Sequence, residues 1–448
     1  MSVRSMTEGR PARLIMSVAL PLMLGNIFQQ LYTVVDAQIV GSVVGVSALA
    51  AVGAADWFNW LFVGLLQGFA MGFAIPMAQA FGAKDYQWLR KIAGNALILA
   101  AVTAVVFSVT AILLIQPVLS LLNTPDTIRP ASTSYLTILF AGLPVVMGYN
   151  LLAAALRSLG DGKSPLYAMI VASLINIGLD LLFVAGFGWG VSGAALATIL
   201  AQGFSLLFCL YRLSRISFIR PARQDLRPEL PVCGQLFRLG LPVAFQNAVI
   251  GLGGLIVQSV ANPLGVTFIA GYTATNKLYG LLEVAAVSYG YAISTFTGQN
   301  LGAKKHDRIR KGVHTAVIMG VVTSMVIALF MFLFGRSIIG SFISGTPEEV
   351  DSALKIGWEF LQLMSLCLPI LYILYIYRSA QMGMGHTLLP LFSGFAEFFM
   401  RTGSALLLPS IIGYAGLFWA EALAWLGAVF FLIPGYYYAL RKHSRKDA

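Results

Sequence analysis

With 448 residues, 58% of them hydrophobic and only 10% charged, the chain is too apolar for a soluble fold, which carries about a quarter charged residues. The mean hydropathy of +0.81 makes lipid the solvent, and three cysteines, Cys209, Cys233 and Cys367, with no ligand spacing exclude a disulfide framework. The formal charge of +11 would suit nucleic acid, so the placement of the basic residues decides what it means.

Taken in chain order, the first thirteen residues carry Arg4, Arg10 and Arg13. The apolar stretch behind them is long and ends in no small-residue cleavage pattern, so it reads as a first span rather than a signal peptide. Spans are predicted to start near residues 12, 46, 86, 128, 165 and 190, then near 233, 265, 308, 350, 387 and 413. Runs such as Ala96 to Ile115, Leu166 to Val184 and Val313 to Phe334 are each long enough to cross a hydrocarbon core of about 30 Å. Most of the 29 basic residues fall on alternate connections: the N-terminus, the 84–91 and 157–163 turns, the 212–238 connection, the 304–311 turn, Arg378 and the tail from Arg441. The connections on the other side hold Arg129, Arg336 and Lys355. Such a bias predicts an even number of spans with both termini in the cytoplasm, and it makes the basic balance a matter of topology, with no nucleic-acid partner. Short loops and the lack of an Asn-x-Ser/Thr acceptor fit a bacterial plasma (inner) membrane.

The chain repeats itself. Gln79, Gly82, Ala83, Lys84, Arg90 and Lys91 recur as Gln299, Gly302, Ala303, Lys304, Arg310 and Lys311, at one fixed offset. Leu20-Pro21 returns as Leu241-Pro242, Leu143-Pro144 as Leu368-Pro369, and Gly190 and Gly193 as Gly413 and Gly416. Two halves of six spans follow, and because six is even both halves enter the membrane from the same side, as parallel lobes. The expected organisation is an N-lobe at 1–213, a Pro- and Arg-rich cytoplasmic linker at 214–231 and a C-lobe at 232–448.

Four segments carry a resemblance: ALPLMLGNIFQQLYTVVDAQIVG in the first span, AQAFGAKD after the second, NIGLDLLF in the fifth and GWGVSGAALATILAQ in the sixth. They resemble the bacterial multidrug and toxic compound extrusion (MATE) family, over nearly the whole chain and in the right order. The resemblance implies an all-α integral membrane fold, with twelve transmembrane helices in two parallel six-helix lobes forming a V around a central cavity. It also implies export of small-molecule organic cations or drugs, driven by inward flow of H+ or Na+. No other cofactor is expected, the partners are the substrate and the lipid bilayer, and a monomer is expected.

The polar residues inside the spans lead independently to a site. Ionisable groups there cost about 2.5 to 3.5 kcal/mol each and need partners or a wet cavity. They are Asp36, Asp56, Asp180, Lys277, Glu283, Glu359, Glu397, Arg401 and Glu421. Asn26, Gln29, Thr33 and Asp36 are spaced three, four and three apart, one polar stripe on an otherwise apolar helix. Asn176 and Asp180 share a face of the fifth span, and Thr198 in the sixth adds a hydroxyl oxygen. These residues, with Asn150 as a weaker member and a carbonyl such as that of Ala194, form a candidate cation-coupling site. A hard cation wants several oxygen ligands, and equally two carboxylates brought together share a proton rather than both ionise. The family's pattern of an Asp in the first span, Asn-x-x-x-Asp in the fifth and a Thr in the sixth is met residue by residue. At the repeat offsets the second half has Ile256 or Val257, Phe399 and Gly403, so the acidic site is confined to the first.

Glu397 and Arg401, four apart, are expected to pair with each other, while Lys277 and Glu283 point to different faces. Glu283 and Glu421, with Gln29 and Thr33, are candidate contacts for a cationic substrate, and Pro21 is a candidate hinge in the first span. Three other classes lack support. A lipid-linked saccharide flippase needs a basic cavity, a channel needs a repeated filter or charged ring, and an enzyme needs a catalytic or metal spacing that His306, His314, His386 and His443 do not form.

Overall fold

A computed structural model describes residues 3–122, 124–343 and 346–447, and among these every regular element is helical. In chain order the helices are α1 (Pro11–Ile39), α2 (Val46–Gly82), α3 (Tyr86–Leu121), α4 (Arg129–Ala141), α5 (Leu143–Ser158), α6 (Lys163–Asp180) and α7 (Gly190–Ser214). There follow α8 (Leu230–Ala261), α9 (Val266–Gly302), α10 (His306–Gly340), α11 (Pro347–Gly383), α12 (Leu388–Leu407), the single turn α13 (Pro409–Ile412) and α14 (Ala415–Asp447). All-helical structure is what lipid demands, since a helix satisfies its backbone polar groups within itself.

Among the described residues ten helices are long and apolar enough to cross a membrane, and α4 with α5, bent by 45° at their junction, make an eleventh if the pair is one span. The 37-residue α9 starts where a span was predicted but is less apolar than the others, diluted by residues such as Thr273, Asn276, Lys277 and Glu283. The spans thus start within a few residues of their predicted places. Not anticipated is the break at Gly142. A Cβ there would run into Ile199 of α7, so the glycine lets the two chains close, and Pro144 opens the next helix where its missing N–H costs nothing. The repeat-related Pro369 lies inside α11 with no such break.

The repeat is conformational as well. Lys84 and Lys304, which follow α2 and α9, both adopt the left-handed backbone at φ 59° and 57°. That conformation ends a helix cheaply for glycine and costs a side-chain-bearing residue of order 1 kcal/mol. Asp85 then caps α3 by accepting the Trp88 N–H at 2.9 Å.

The chain forms two compact units, one of Met1–Ser5 with Leu20–Ala244 and one of Met6–Ala19 with Phe245–Ala448. These differ from the 1–213 and 232–448 halves at both leading helices, and packing explains it. In the first unit Gly68 and Gly72 of α2 meet Ala244 and Gly240 of α8 so closely that no Cβ fits on either α2 glycine, a small-residue contact of the kind that holds helices together in lipid. In the second unit Met6 is buried; its N–H bonds the Gln299 side chain at 2.7 Å, and the Asn300 side chain donates to its carbonyl at 3.2 Å. Arg308 adds a bond to the Gly9 carbonyl at 2.7 Å. The 214–231 linker falls in the first unit.

Candidate functional site

Asp36 lies in the last turn of α1 and Asp180 is the final residue of α6. Each is followed by a π-helical turn, Val40–Val44 after α1 and Leu181–Gly186 after α6. Such turns recur at functional sites because the widened register re-aims side chains. Asp180 is fully buried, Asn176 one turn before it nearly so, and Asp36 half-buried.

The Asp36 and Asp180 carboxyls lie near enough for each to perturb the other. No donor among the described residues reaches either oxygen of Asp180, Oδ1 of Asp36, or the side-chain amide of Asn176. Two facing acceptors cannot bond each other unless a proton lies between them or a cation bridges them, and buried polar atoms are very seldom left without a partner. Asp56 on α2 adds another negative charge felt at Asp36. The donor set of two carboxylates and an amide oxygen therefore fits a proton or a hard monovalent cation.

Beside this pair the first unit holds a small pocket of about 40 Å³, well below the volume that encloses a drug-sized molecule. Gln29 and Tyr32 of α1, Tyr149 of α5, Met169, Ala172 and Asn176 of α6, and Thr198, Ala201, Gln202 and Ser205 of α7 line it. Of the residues anticipated for the site, the pocket gathers Gln29, Asn176 and Thr198, with Asn176 shared between pocket and carboxylate pair. Ala194 is buried one turn before Thr198 on α7. Two others turn to their own helices: Asn150 donates to the Val146 carbonyl at 2.8 Å, and Thr33 to that of Gln29 at 3.0 Å.

Tyr32, Tyr149, Gln202 and Ser205 were not anticipated. Gln202 and Ser205 were nonetheless legible, since Thr198, Gln202 and Ser205 are four and three apart, a polar stripe on α7 like that on α1.

The second unit holds charges of a different kind, and here the expected pairing is corrected. Glu397 pairs with Arg378 of α11, which also donates to Ser393 Oγ. Arg401 pairs with Glu421 of α14 at 2.8 Å and bonds the Ile250 carbonyl at 3.1 Å. Glu397 and Arg401 do not pair because both point into the bundle, where neighbouring helices offer partners. Glu421 is thereby neutralised and no longer a free acid for a cationic substrate, whereas Glu283 is held by the Tyr375 hydroxyl. Lys277 stands exposed on α9.

Ten or eleven apolar spans among the described residues, with a carboxylate pair and an adjoining pocket within one unit, define a polytopic membrane transporter rather than an enzyme. The MatE family model matches the chain twice, over residues 21–182 and 242–405, one match for each half of the internal repeat. The chain is 29% identical to the probable multidrug resistance protein YoeA of Bacillus subtilis (strain 168) over 332 residues, 72% of each chain. It is 26% identical to YpnP of the same organism, also a probable multidrug resistance protein, over 369 residues and 82% of each. A multidrug resistance MATE family transporter of the MOP superfamily, solved in an outward-facing conformation, shares the fold with a TM-score of 0.91 at 22% identity, over 98% of each chain. This protein belongs to the MatE family.

Proposed function

We propose that this protein exports organic cations or drugs across a bacterial plasma membrane, driven by inward flow of protons or sodium ions through the first unit. The observation that carries the reading is the Asp36–Asp180 pair, two facing carboxyls with no other partner among the described residues. An ion that binds there shifts the balance between transporter states only by its differential affinity for them, and a site emptied and filled on opposite sides of the membrane supplies that difference. The names of the similar Bacillus proteins support drugs as cargo. So does chemistry: Asn176, one turn before Asp180, lines the pocket, and Glu283 is an intramembrane acid that accepts a bond from the Tyr375 hydroxyl.

The flippase alternative fares worse. Arg378 and Arg401 are both neutralised by acids, leaving Lys277 as the one intramembrane cation without a described carboxylate, too little for a pyrophosphate.

In a pump-deficient bacterial host, expression is expected to raise the tolerated concentration of several lipophilic cations. Unchanged sensitivity across a broad panel would remove the reading. In the same assay Pro21→Ala is expected to lose most of the protection at normal expression. α1 continues through Pro21, which cannot donate its backbone bond and so makes a natural flexing point in a helix that carries Asp36 and lines the pocket. Full protection by Pro21→Ala would make that proline a packing feature only. The alternate-side placement of basic residues supports cytoplasmic termini, so alkaline phosphatase fused after Ala448 is expected to be inactive; an active fusion would invert the topology.

A further inference from the structure

We infer that the connection between α7 and α8, residues 215–229, is a binding surface for the headgroups of anionic phospholipids. α2 and α3 are 37 and 36 residues long, roughly 55 Å at 1.5 Å per residue, and so overshoot a hydrocarbon core of about 30 Å. The connection docks on the overhang at their shared turn. Phe218 stacks on Phe81 at 5.7 Å and lies 4.9 Å from Tyr86, and Ile216 and Ile219 are buried. Further along, Asn95 of α3 accepts the Glu229 N–H at 2.8 Å, and the Asp225 carbonyl presses on Gly94 so closely that no Cβ fits there.

Both acids of the connection are engaged, one within the connection and one against α3. Asp225, 9% exposed, accepts the Ala222 N–H at 2.8 Å, and Glu229 pairs with Lys91 at 2.7 Å. What remains facing outward is Arg215, Arg220, Arg223 and Arg227, all exposed and in no ion pair among the described residues; Arg215 rests on the Tyr211 ring. Leu226 and Leu230 are 45% and 87% exposed beside them. A positive-inside bias accounts for the number of arginines, but it requires neither a fixed shape nor the engagement of both acids, Asp225 buried and Glu229 paired with Lys91. Guanidinium forks fit phosphate oxygens in pairs, and leucines beside them suit the acyl boundary below a headgroup, which a soluble anion does not offer. Each basic residue near such a surface contributes about 1 kcal/mol.

The test uses the full-length protein in detergent, with bound lipid counted by native mass spectrometry as phosphatidylglycerol or phosphatidylcholine is titrated in. Phosphatidylglycerol is expected to bind in preference to phosphatidylcholine. The variant Arg220→Gln/Arg223→Gln/Arg227→Gln is expected to lose phosphatidylglycerol affinity by about a hundredfold. The matching triple Lys variant, which keeps the charge, is expected to retain most of it. Inorganic phosphate at the lipid concentration is expected not to displace the lipid. Equal binding of the two lipids, an unaffected Gln variant, a Lys variant as weak as the Gln variant, or displacement by phosphate would each overturn the assignment.

Discussion

Asp36→Asn and Asp180→Asn are each expected to abolish gradient-driven export in proteoliposomes, and the double variant is expected to be no worse than either single. The two carboxyls form one unit: each faces the other, and Asp180 has no donor from the described residues on either oxygen. An amide in place of one carboxyl supplies its own N–H to the other, so the pair is satisfied permanently and no longer needs an ion. Residues acting as a unit are non-additive, which is why the second substitution has nothing left to remove. Folding is expected to survive, because each substitution removes an intramembrane acid whose insertion costs about 2.5 to 3.5 kcal/mol. The measurement is substrate efflux under an imposed proton gradient and, separately, an imposed sodium gradient, which also identifies the driving ion. Wild-type export by Asp36→Asn under both would take coupling away from this pair and make Glu283 the next residue to test.

The spans were legible because lipid leaves a sequence few ways to fold: twenty apolar residues are a helix, and polar residues on it fall into stripes at helical spacing. The stripe ending at Asp36 and the Asn176–Asp180 face could be read that way, as could the repeat, whose paired lysines share even the left-handed backbone. Spacing tells which face a residue occupies, not which face it meets. Thus Asn150 was grouped with the cation site by type and Thr33 with the substrate contacts by its place in the stripe, and spacing alone did not show that each donates to a carbonyl of its own helix. The break at Gly142 was hidden for the same reason, since Pro369 follows the same Leu-Pro pattern within an unbroken helix and the contact of Gly142 with Ile199 is tertiary. Arg378, five residues from the end of α11, read as one more interfacial cation. Its partner lies on the next helix and could not be seen from its own.

That partner sets the second large expected effect, a loss of stability rather than of transport. Arg378→Met is expected to destabilise the protein by about 3 to 5 kcal/mol, because it leaves Glu397 charged and uncompensated in an apolar site. The two side chains are 7% and 3% exposed, so water cannot take over from the lost guanidinium, and the Ser393 hydroxyl that remains nearby bonds back to the Pro390 carbonyl. Replacing both partners, Arg378→Met with Glu397→Leu, is expected to restore most of the loss, since two apolar side chains of similar volume need no ion at all. The Arg401–Glu421 pair makes the comparison: Glu421 is more open, at 15%, so Arg401→Met is expected to cost less. Thermal unfolding of the purified variants in one detergent gives the ranking. If the double variant is no more stable than Arg378→Met alone, the arginine acts through its packing against Tyr375 and α12 rather than by neutralising Glu397, because charge is the one property that the second substitution repairs.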